Sequence, residues 1–288
     1  MIEVAREVAD ALGRREPVVA LETTLIAHGF PAGEGIVVGL EAEKRVRGAG
    51  AIPATVGVLD GRARVGLTEA ELERFTPEAR KVGPRDLAAC AVQGAVGATT
   101  VGGTLAVCRA AGIGFMATGG IGGVHRGERL DISADLAELA RTEALVVCSG
   151  AKSLLDVAAT AELLETLGVP VLGYRTDELP LFYSARGGPP VSARIESAHE
   201  AAGIARAHWE LGRHSSLIVA RPPDESLDVE PLIEQALSEA DEQSVTGQAV
   251  TPFVLARLHE LSDGQTLAAN RELVAANAAL AAEIAAAY

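Results

Sequence analysis

The chain has 288 residues and a mass of 29.6 kDa, enough for one large domain or two small ones, and its 48% hydrophobic, 22% charged composition is that of a globular protein. Aromatic residues make up only 3%, so the core must be built from Ala, Val, Leu and Ile, which favours helix–sheet packing over an aromatic-rich all-β domain. A net charge of -14 excludes a nucleic-acid surface built on clustered Lys and Arg, but leaves room for a local positive pocket around one phosphate ester.

From the N-terminus, MIEVAREVADALGRREP reads as an amphipathic helix of mixed charge rather than a signal peptide. β-Branched runs then predict strands at Pro17–Leu21, Ala54–Leu59, Gly114–Ala117, Leu145–Cys148, Val169–Gly173 and Leu217–Ala220. Asp60-Gly61, between Thr55–Leu59 and Arg62–Val65, is a hairpin signal that makes part of the sheet antiparallel. Helical patterns cover Gly35–Arg47, Arg85–Val92, Leu154–Leu167, Ser192–Leu211, Glu230–Glu242, Phe253–Leu261 and Leu267–Ala287. The segment Leu87–Cys108 is uncharged over roughly the length of a membrane span, yet its Gly, Thr and Gln predict two buried pieces around a turn, and no membrane is expected. Cys90, Cys108 and Cys148 are far apart in apolar stretches without a CxxC, as expected of reduced, buried thiols in a cytoplasmic protein. The alternation of strands and helices, with no repeat and no long linker, predicts an α/β fold in one domain over residues 1–288, its sheet mixed where the hairpin falls.

Gly-rich breaks follow several strands, at Gly119-Gly120-Ile121-Gly122-Gly123 after GFMA and at Ser149-Gly150 after LVVC. Ligands of open α/β sheets sit at such C-terminal strand ends. The GGIGG run fits neither Walker A nor Rossmann spacing.

Only three of the 25 basic residues are lysines, Lys44, Lys81 and Lys152. Where any positive charge serves, this chain uses Arg, so a retained Lys is a candidate for work only a neutral amine can do. Lys44 lies in the charged helix face EAEKRVR, as a solvated residue would. Lys152 follows LVVCSGA and precedes an apolar helical pattern, where desolvation disfavours an ammonium. The same position also suits phosphate binding or an interface salt bridge. Glu22 ends the apolar run PVVALE, where a carboxyl tends towards a raised pKa and general-acid use; a cap or buried ion pair is the alternative.

In GGIGGVHRGERLDISADL, His125 and Arg126 precede Asp131 and Asp135, two carboxylates able to ligate a hard divalent ion or bind sugar hydroxyls, although Ser133 or Asp135 equally suits capping of a helix from Ala134. Lys81 with Arg85 and Asp86, followed by Thr99-Thr100-Val101, offers a cation and hydroxyl-rich turns for a phosphate or ribose. Asn270 and Asn277, seven residues apart, share one face of the C-terminal helix, where interhelical hydrogen bonds are the simpler use. No HExxH, GxSxG or kinase signature occurs, and the six His include no pair at metal spacing, so a zinc hydrolase is unsupported.

Taken in order from Glu3 to the C-terminus, VALETTLIAHGFP, GAIPATVGVLDGRARVGL, FMATGGIGGVHRG, DISADL, CSGAKSLLD, GVPVLGYRTDELPLFY, VTPFVLARL and GQTLAANRELVAANAALAA form a colinear set of blocks. Together they resemble the pseudouridine-5'-phosphate glycosidases, also called pseudouridylate synthases or indigoidine synthase A-like proteins. The resemblance implies a single α/β/α domain with a mixed central sheet flanked by helices, a homotrimer with one divalent metal per subunit, manganese, and a reversible cleavage of pseudouridine 5'-phosphate to uracil and ribose 5-phosphate. It further implies Lys152 as covalent nucleophile, Glu22 as proton donor and Asp131 as metal ligand. Lys81, Val101, Ser133, Ala134, Asp135 and Asn270 correspond to substrate-binding positions. The family's KVSRRD reads Lys81-Val82-Gly83-Pro84-Arg85-Asp86 here, its TTVAATM reads TTVGGTL, and its NPIP turn reads Arg221-Pro222-Pro223.

A carbon leaving group suits the two-carboxylate glycosidase route poorly, whereas an amine can form an imine at the sugar C1' and expel the base as a stabilised carbanion equivalent. Two other readings stand beside this one. The first is a conventional nucleoside or sugar-phosphate glycosidase using Glu22 and Asp131. The second is a catalytically silent sugar-phosphate-binding protein.

Overall fold

The computed structural model of the chain describes residues 1–126, 131–245 and 250–288, so residues 127–130, within the Gly-rich stretch singled out above, lie outside the described residues. The strands are β1 (Ile2–Val4), β2 (Val18–Glu22), β3 (Ile52–Leu59), β4 (Arg62–Val65), β5 (Arg80–Val82), β6 (Gly97–Thr99), β7 (Phe115–Ala117), β8 (Val124–His125), β9 (Leu145–Cys148), β10 (Leu155–Asp156), β11 (Val171–Tyr174), β12 (Ala193–Ile195) and β13 (Leu217–Ala220). The helices are α1 (Arg6–Arg14), α2 (Thr24–His28), α3 (Glu34–Gly48), α4 (Glu69–Leu72), α5 (Leu87–Val92), α6 (Val101–Ala111), α7 (Ala134–Leu139), α8 (Val157–Thr166), α9 (Ala198–Glu210), α10 (Glu230–Glu242), α11 (Val250–Leu261) and α12 (Gln265–Ala287).

The main sheet runs β1-β4-β3-β2-β7-β9-β13-β11-β12, with β6 antiparallel to β3 and β5 parallel to β6. From β3 through β12 the strands are mutually parallel, while β4 is antiparallel to β3, so the sheet is mixed. The Asp60-Gly61 turn joins β3 and β4 with Leu59 opposite Arg62; both turn residues have positive φ, 50° and 76°, as a two-residue primed turn demands. A separate two-stranded ribbon pairs β10 with β8.

The central strands are buried on both faces, which explains their near-continuous apolar sequence. Alternate residues feed two cores. Val18, Ala20, Val146, Cys148, Ile218 and Ala220 pack with residues of α1, α6, α7, α8 and α10, whereas Val19, Leu21, Leu145, Val147, Leu217 and Val219 pack with α3, α9 and α12. The long α12 lies close to β2, β7 and β9 because its buried stripe is mostly Ala, including Ala278, Ala281 and Ala282. Helices therefore cover both faces of the mixed sheet.

Four expectations need correction. The N-terminal segment is not helical from its start, because Ile2–Val4 pairs in parallel with β4. Leu87–Cys108 contains β6 as well as the two helices α5 and α6. The Ser192–Leu211 pattern begins with β12, paired to β11, and only becomes α9 at Ala198. The helix after Lys152 starts at Val157, capped by Asp156, because Leu155–Asp156 first pairs with β8.

Between β2 and β7 the strand order reverses: the chain leaves β2 towards β3 on one side and reaches β7 on the other. Such a switch point opens a crevice at the carboxyl ends of parallel strands. Glu22 ends β2 there, and Thr118 follows β7.

Candidate active site

Two connected cavities occupy the carboxyl end of the sheet. The inner, largely apolar one is lined by Glu22, Leu25, His28, Thr118, Phe182, Leu255 and Asn270 among others. The outer, polar one, of about 370 Å³, is lined by Gly83, Arg85, Thr100, His125, Asp131, Ser133, Ala134 and Asp135 among others. Lys81 and Lys152 line both. The two amines thus stand where the chambers meet.

Lys152 is half-buried on a turn whose backbone is tied to the Gly-rich loop: its N–H donates to Ile121 O at 3.1 Å, and Ile121 N–H donates to Gly150 O at 3.1 Å. Gly150 has a φ of 89° and a Cβ there would lie 2.1 Å from Pro180 O, so only glycine lets the chain turn at this point. Arg126 braces the other side, donating to Ser153 O at 3.0 Å and Leu155 O at 3.3 Å while pairing with Glu230 of α10 at 2.5 Å. The turn carrying the amine is therefore held from three directions.

Glu22 is buried, with Oε1 accepting a 2.5 Å hydrogen bond from Thr118 Oγ1 and Oε2 without a partner among the described residues. Burial pushes its carboxyl above the usual carboxylate range, the positive charge of Lys152 and the Thr118 bond oppose the shift, and Asp135 adds to it. Lys81 on β5 is pushed below the usual lysine range, first by burial and then by the positive charge of Lys152, against the pull of Asp135, Glu22 and Asp131. A carboxyl whose pKa burial raises and an amine whose pKa burial lowers share a single cavity wall.

In the outer cavity, Asp135 is buried and fully engaged: Oδ1 accepts from Gly102 N–H at 2.8 Å and Oδ2 from Gly122 N–H at 2.9 Å. A Cβ at Gly122 would fall 2.2 Å from Ser133 Oγ, so glycine is what permits this approach. Ser133 caps α7, accepting from Asp135 N–H at 3.2 Å. The capping use and the placement at a cavity wall, alternatives in the sequence, coexist. Ala134 is exposed in the same wall.

Asp131 is half-exposed there, 3.7 Å from His125 Nδ1, and burial lowers the His125 pKa while the Asp131 charge opposes that. Among the described residues no group of three or more His, Cys, Asp or Glu side chains gathers into a metal cage. Both oxygens of Asp135 are already taken by backbone N–H groups, which leaves Asp131 as the carboxylate of this wall whose chemistry would suit a hard divalent ion.

Val101 is fully buried at the start of α6, so any ligand contact would run through its backbone. Thr100 caps that helix and faces the polar cavity, whereas Thr99 is buried and donates to Val56 O at 2.7 Å, a structural use rather than the ligand hydroxyl expected. Arg85 is exposed at the cavity rim, while Asp86 accepts from Gly83 N–H at 3.1 Å. Lys44 is a surface residue near Glu41.

The two asparagines of α12 part company. Asn270 lines the inner cavity, and Asn277 Nδ2 donates to Thr118 O at 2.9 Å and to Ser149 Oγ at 3.1 Å, binding strand ends rather than another helix. Thr118, His28 and Phe182 escaped sequence reasoning. For Thr118 the usable signal was its place one residue past a strand expected beside the one ending at Glu22.

A buried acid facing two lysines at the switch point of a mixed α/β sheet defines a site suited to proton transfer and imine chemistry on a small polar substrate. Residues 7–287 match the family described as indigoidine synthase A-like protein, and the chain belongs to that family. It is 47% identical to the pseudouridine-5'-phosphate glycosidase of Geobacillus kaustophilus (98% of this chain, 96% of that one) and 45% identical to that of Escherichia coli (100% and 96%). Among solved structures, the prealnumycin C-glycosynthase AlnA in complex with ribulose 5-phosphate aligns with a TM-score of 0.90 and 43% identity over 100% of this chain and 96% of that one. An indigoidine synthase A-like protein from Thermotoga maritima aligns with 0.91 and 40% over 99% and 96%.

Proposed function

We propose that the chain cleaves the C–C glycosidic bond of pseudouridine 5'-phosphate to give uracil and ribose 5-phosphate, reversibly, through an imine on Lys152. The observation that carries this is the shared wall: Glu22 and Lys152 line one chamber, and Lys152 and Asp131 the next. A two-carboxylate glycosidase would need Glu22 and Asp131 flanking one bond, and they line different chambers. A silent binding protein gains nothing from burying a carboxyl without a partner for Oε2.

In this reading Glu22 gives its proton to the ribose ring oxygen as the C1'–O4' bond breaks, and the Lys152 amine adds at C1' through its nitrogen lone pair. The Glu22 carboxylate takes back a proton from the new C1'-bound ammonium and passes it to the uracil C5, and the C1'–C5 bond then breaks with its electron pair passing to the base while the nitrogen lone pair forms the C1'=N bond. Water adds to the imine and releases ribose 5-phosphate and the amine. The phosphate takes the outer cavity, near Lys81, Arg85 and Thr100 at the N-terminus of α6, whose helix dipole favours an anion. Asp131 would hold a divalent ion, manganese in this proposal, which supplies positive charge against the substrate's oxygens. A homotrimer in the cytoplasm belongs to the same proposal, and no helix among the described residues is long and apolar enough to cross a membrane.

The test is incubation of the purified protein and manganese with pseudouridine 5'-phosphate, followed by chromatography for free uracil. Uracil release supports the reading. No release, or release only from N-ribosides with Lys152→Arg still active, contradicts it.

A further inference from the structure

The hydrogen bond between Thr118 and Glu22 has a consequence for where the acid keeps its proton. Leu21 pairs with Ala117 across β2 and β7, so Glu22 and Thr118 stand level, one step beyond the paired residues. Thr118 is buried and its backbone is fixed on both sides: its N–H donates to Val147 O at 3.0 Å, and its carbonyl accepts from Asn277 Nδ2 at 2.9 Å. Asn277 is itself buried and tied to Ser149 Oγ at 3.1 Å. The hydroxyl consequently has little freedom, and Glu22 Oε1 is its one hydrogen-bond partner among the described residues.

A threonine hydroxyl carries one proton. If Glu22 held its own proton on Oε1, two protons would compete for one short contact. With the hydroxyl donating to Oε1, the carboxyl proton belongs on Oε2, the oxygen buried in the cavity wall without a partner among the described residues.

We infer that Thr118 is the positioning residue of the acid: it engages Oε1, turns the carboxyl to one orientation and leaves the transferable proton on Oε2. This rests on the proposed donor role of Glu22. It also gives Thr118 a second effect, because a donor to the carboxylate favours the charged form and opposes burial. The other groups facing Glu22 are Lys152 beyond β9 and Lys81 on β5, whose positive charges act in the same direction as Thr118, and Asp135 on α7, which acts against it; His28 on α2 lines the same chamber. Thr118 therefore opposes the upward push that burial gives the Glu22 carboxyl.

The experiment compares Thr118→Val, which keeps the shape without the hydroxyl, with Thr118→Ser, which keeps the hydroxyl. Both are assayed for uracil release from pseudouridine 5'-phosphate across the neutral and alkaline range. Thr118→Val is expected to lower kcat roughly 10- to 100-fold, a share of what a general acid supplies, with KM changed less than about twofold. Its alkaline limb should move to higher pH, since burial is then less opposed. Thr118→Ser should keep the wild-type limb and most of kcat. A Thr118→Val enzyme with wild-type kcat and pH profile overturns the inference, as does Thr118→Ser impaired to the same degree as Val, which would assign the effect to the methyl group. If Val does not fold, Thr118→Ala with the same two readouts decides. Glu22→Gln, run alongside, separates the levels: activity retained in that variant removes the donor role itself, whereas its loss combined with an unaltered Thr118→Val removes only the role of Thr118.

Discussion

Replacing Asp135 by Ala should cost more stability than any other substitution in the outer cavity. Its carboxylate is buried and accepts two backbone N–H groups, from Gly102 at the start of α6 and Gly122 in the Gly-rich loop. Truncation leaves both donors buried without an acceptor, at about 1–3 kcal/mol each, so the loss is about 4 kcal/mol. With an unfolding entropy of ~2.1 cal/mol/K per residue, a chain of this length has a melting entropy of about 0.6 kcal/mol/K. The expected fall in Tm is then about 7 °C. Asp135→Asn keeps one acceptor and should lose roughly half as much. Thermal unfolding followed by circular dichroism or calorimetry measures both. A Tm within about 1 °C of wild type for Asp135→Ala would refute the clamp, because two orphaned donors cannot be that cheap. Water entering the cavity to satisfy them would show instead as a small loss in Ala equal to that in Asn.

Glu22→Gln should flatten the pH dependence of stability. A carboxyl with a folded pKa above its unfolded value holds its proton more tightly in the folded state, so the stability it supports is full at acid pH and declines as pH rises through the folded pKa. Tm measured against pH should therefore fall less steeply in the variant; parallel curves would contradict the burial argument. Chelation should depress uracil release, with manganese restoring it, and insensitivity to exhaustive chelation would refute the metal proposal. Cys108 and Cys148 are fully buried, with thiols pushed up to about 12, and Cys90 is buried and raised as well, so the native protein should resist alkylation while all three label after denaturation. Rapid labelling of the native protein would contradict that packing.

Much of the fold was legible because its strands are buried on both faces and its turns use telling residues. The runs at Val18–Glu22, Leu145–Cys148 and Leu217–Ala220 are apolar throughout, and Asp60-Gly61 supplies the two positive φ values of a tight hairpin. What escaped was set by pairing rather than local pattern. Ala193–Ile195 carries an exposed Ala and Arg and becomes a strand only because β11 lies beside it. Gly97–Thr99 is short and Gly-rich, and its hydrogen bonds to β3 and β5 are what make it β6. The site divides in the same way. Lys152 and Glu22 were conspicuous as a rare residue type and a charge ending an apolar run. Thr118 was not, because a hydroxyl after FMA looks like any strand end until the register sets it beside Glu22. Asn277 was read as a helix–helix contact because sequence gives the face of a residue, not what lies against it.

The central claim is that the Lys152 amine forms a carbon–nitrogen bond to the sugar. Incubating the protein with ribose 5-phosphate and borohydride, then mapping modified peptides by mass spectrometry, tests it directly. The account requires a reduced pentose phosphate on the peptide containing Lys152 and none in Lys152→Ala. An adduct on Lys81, the amine that burial pushes towards neutrality, or no adduct at all, would contradict it.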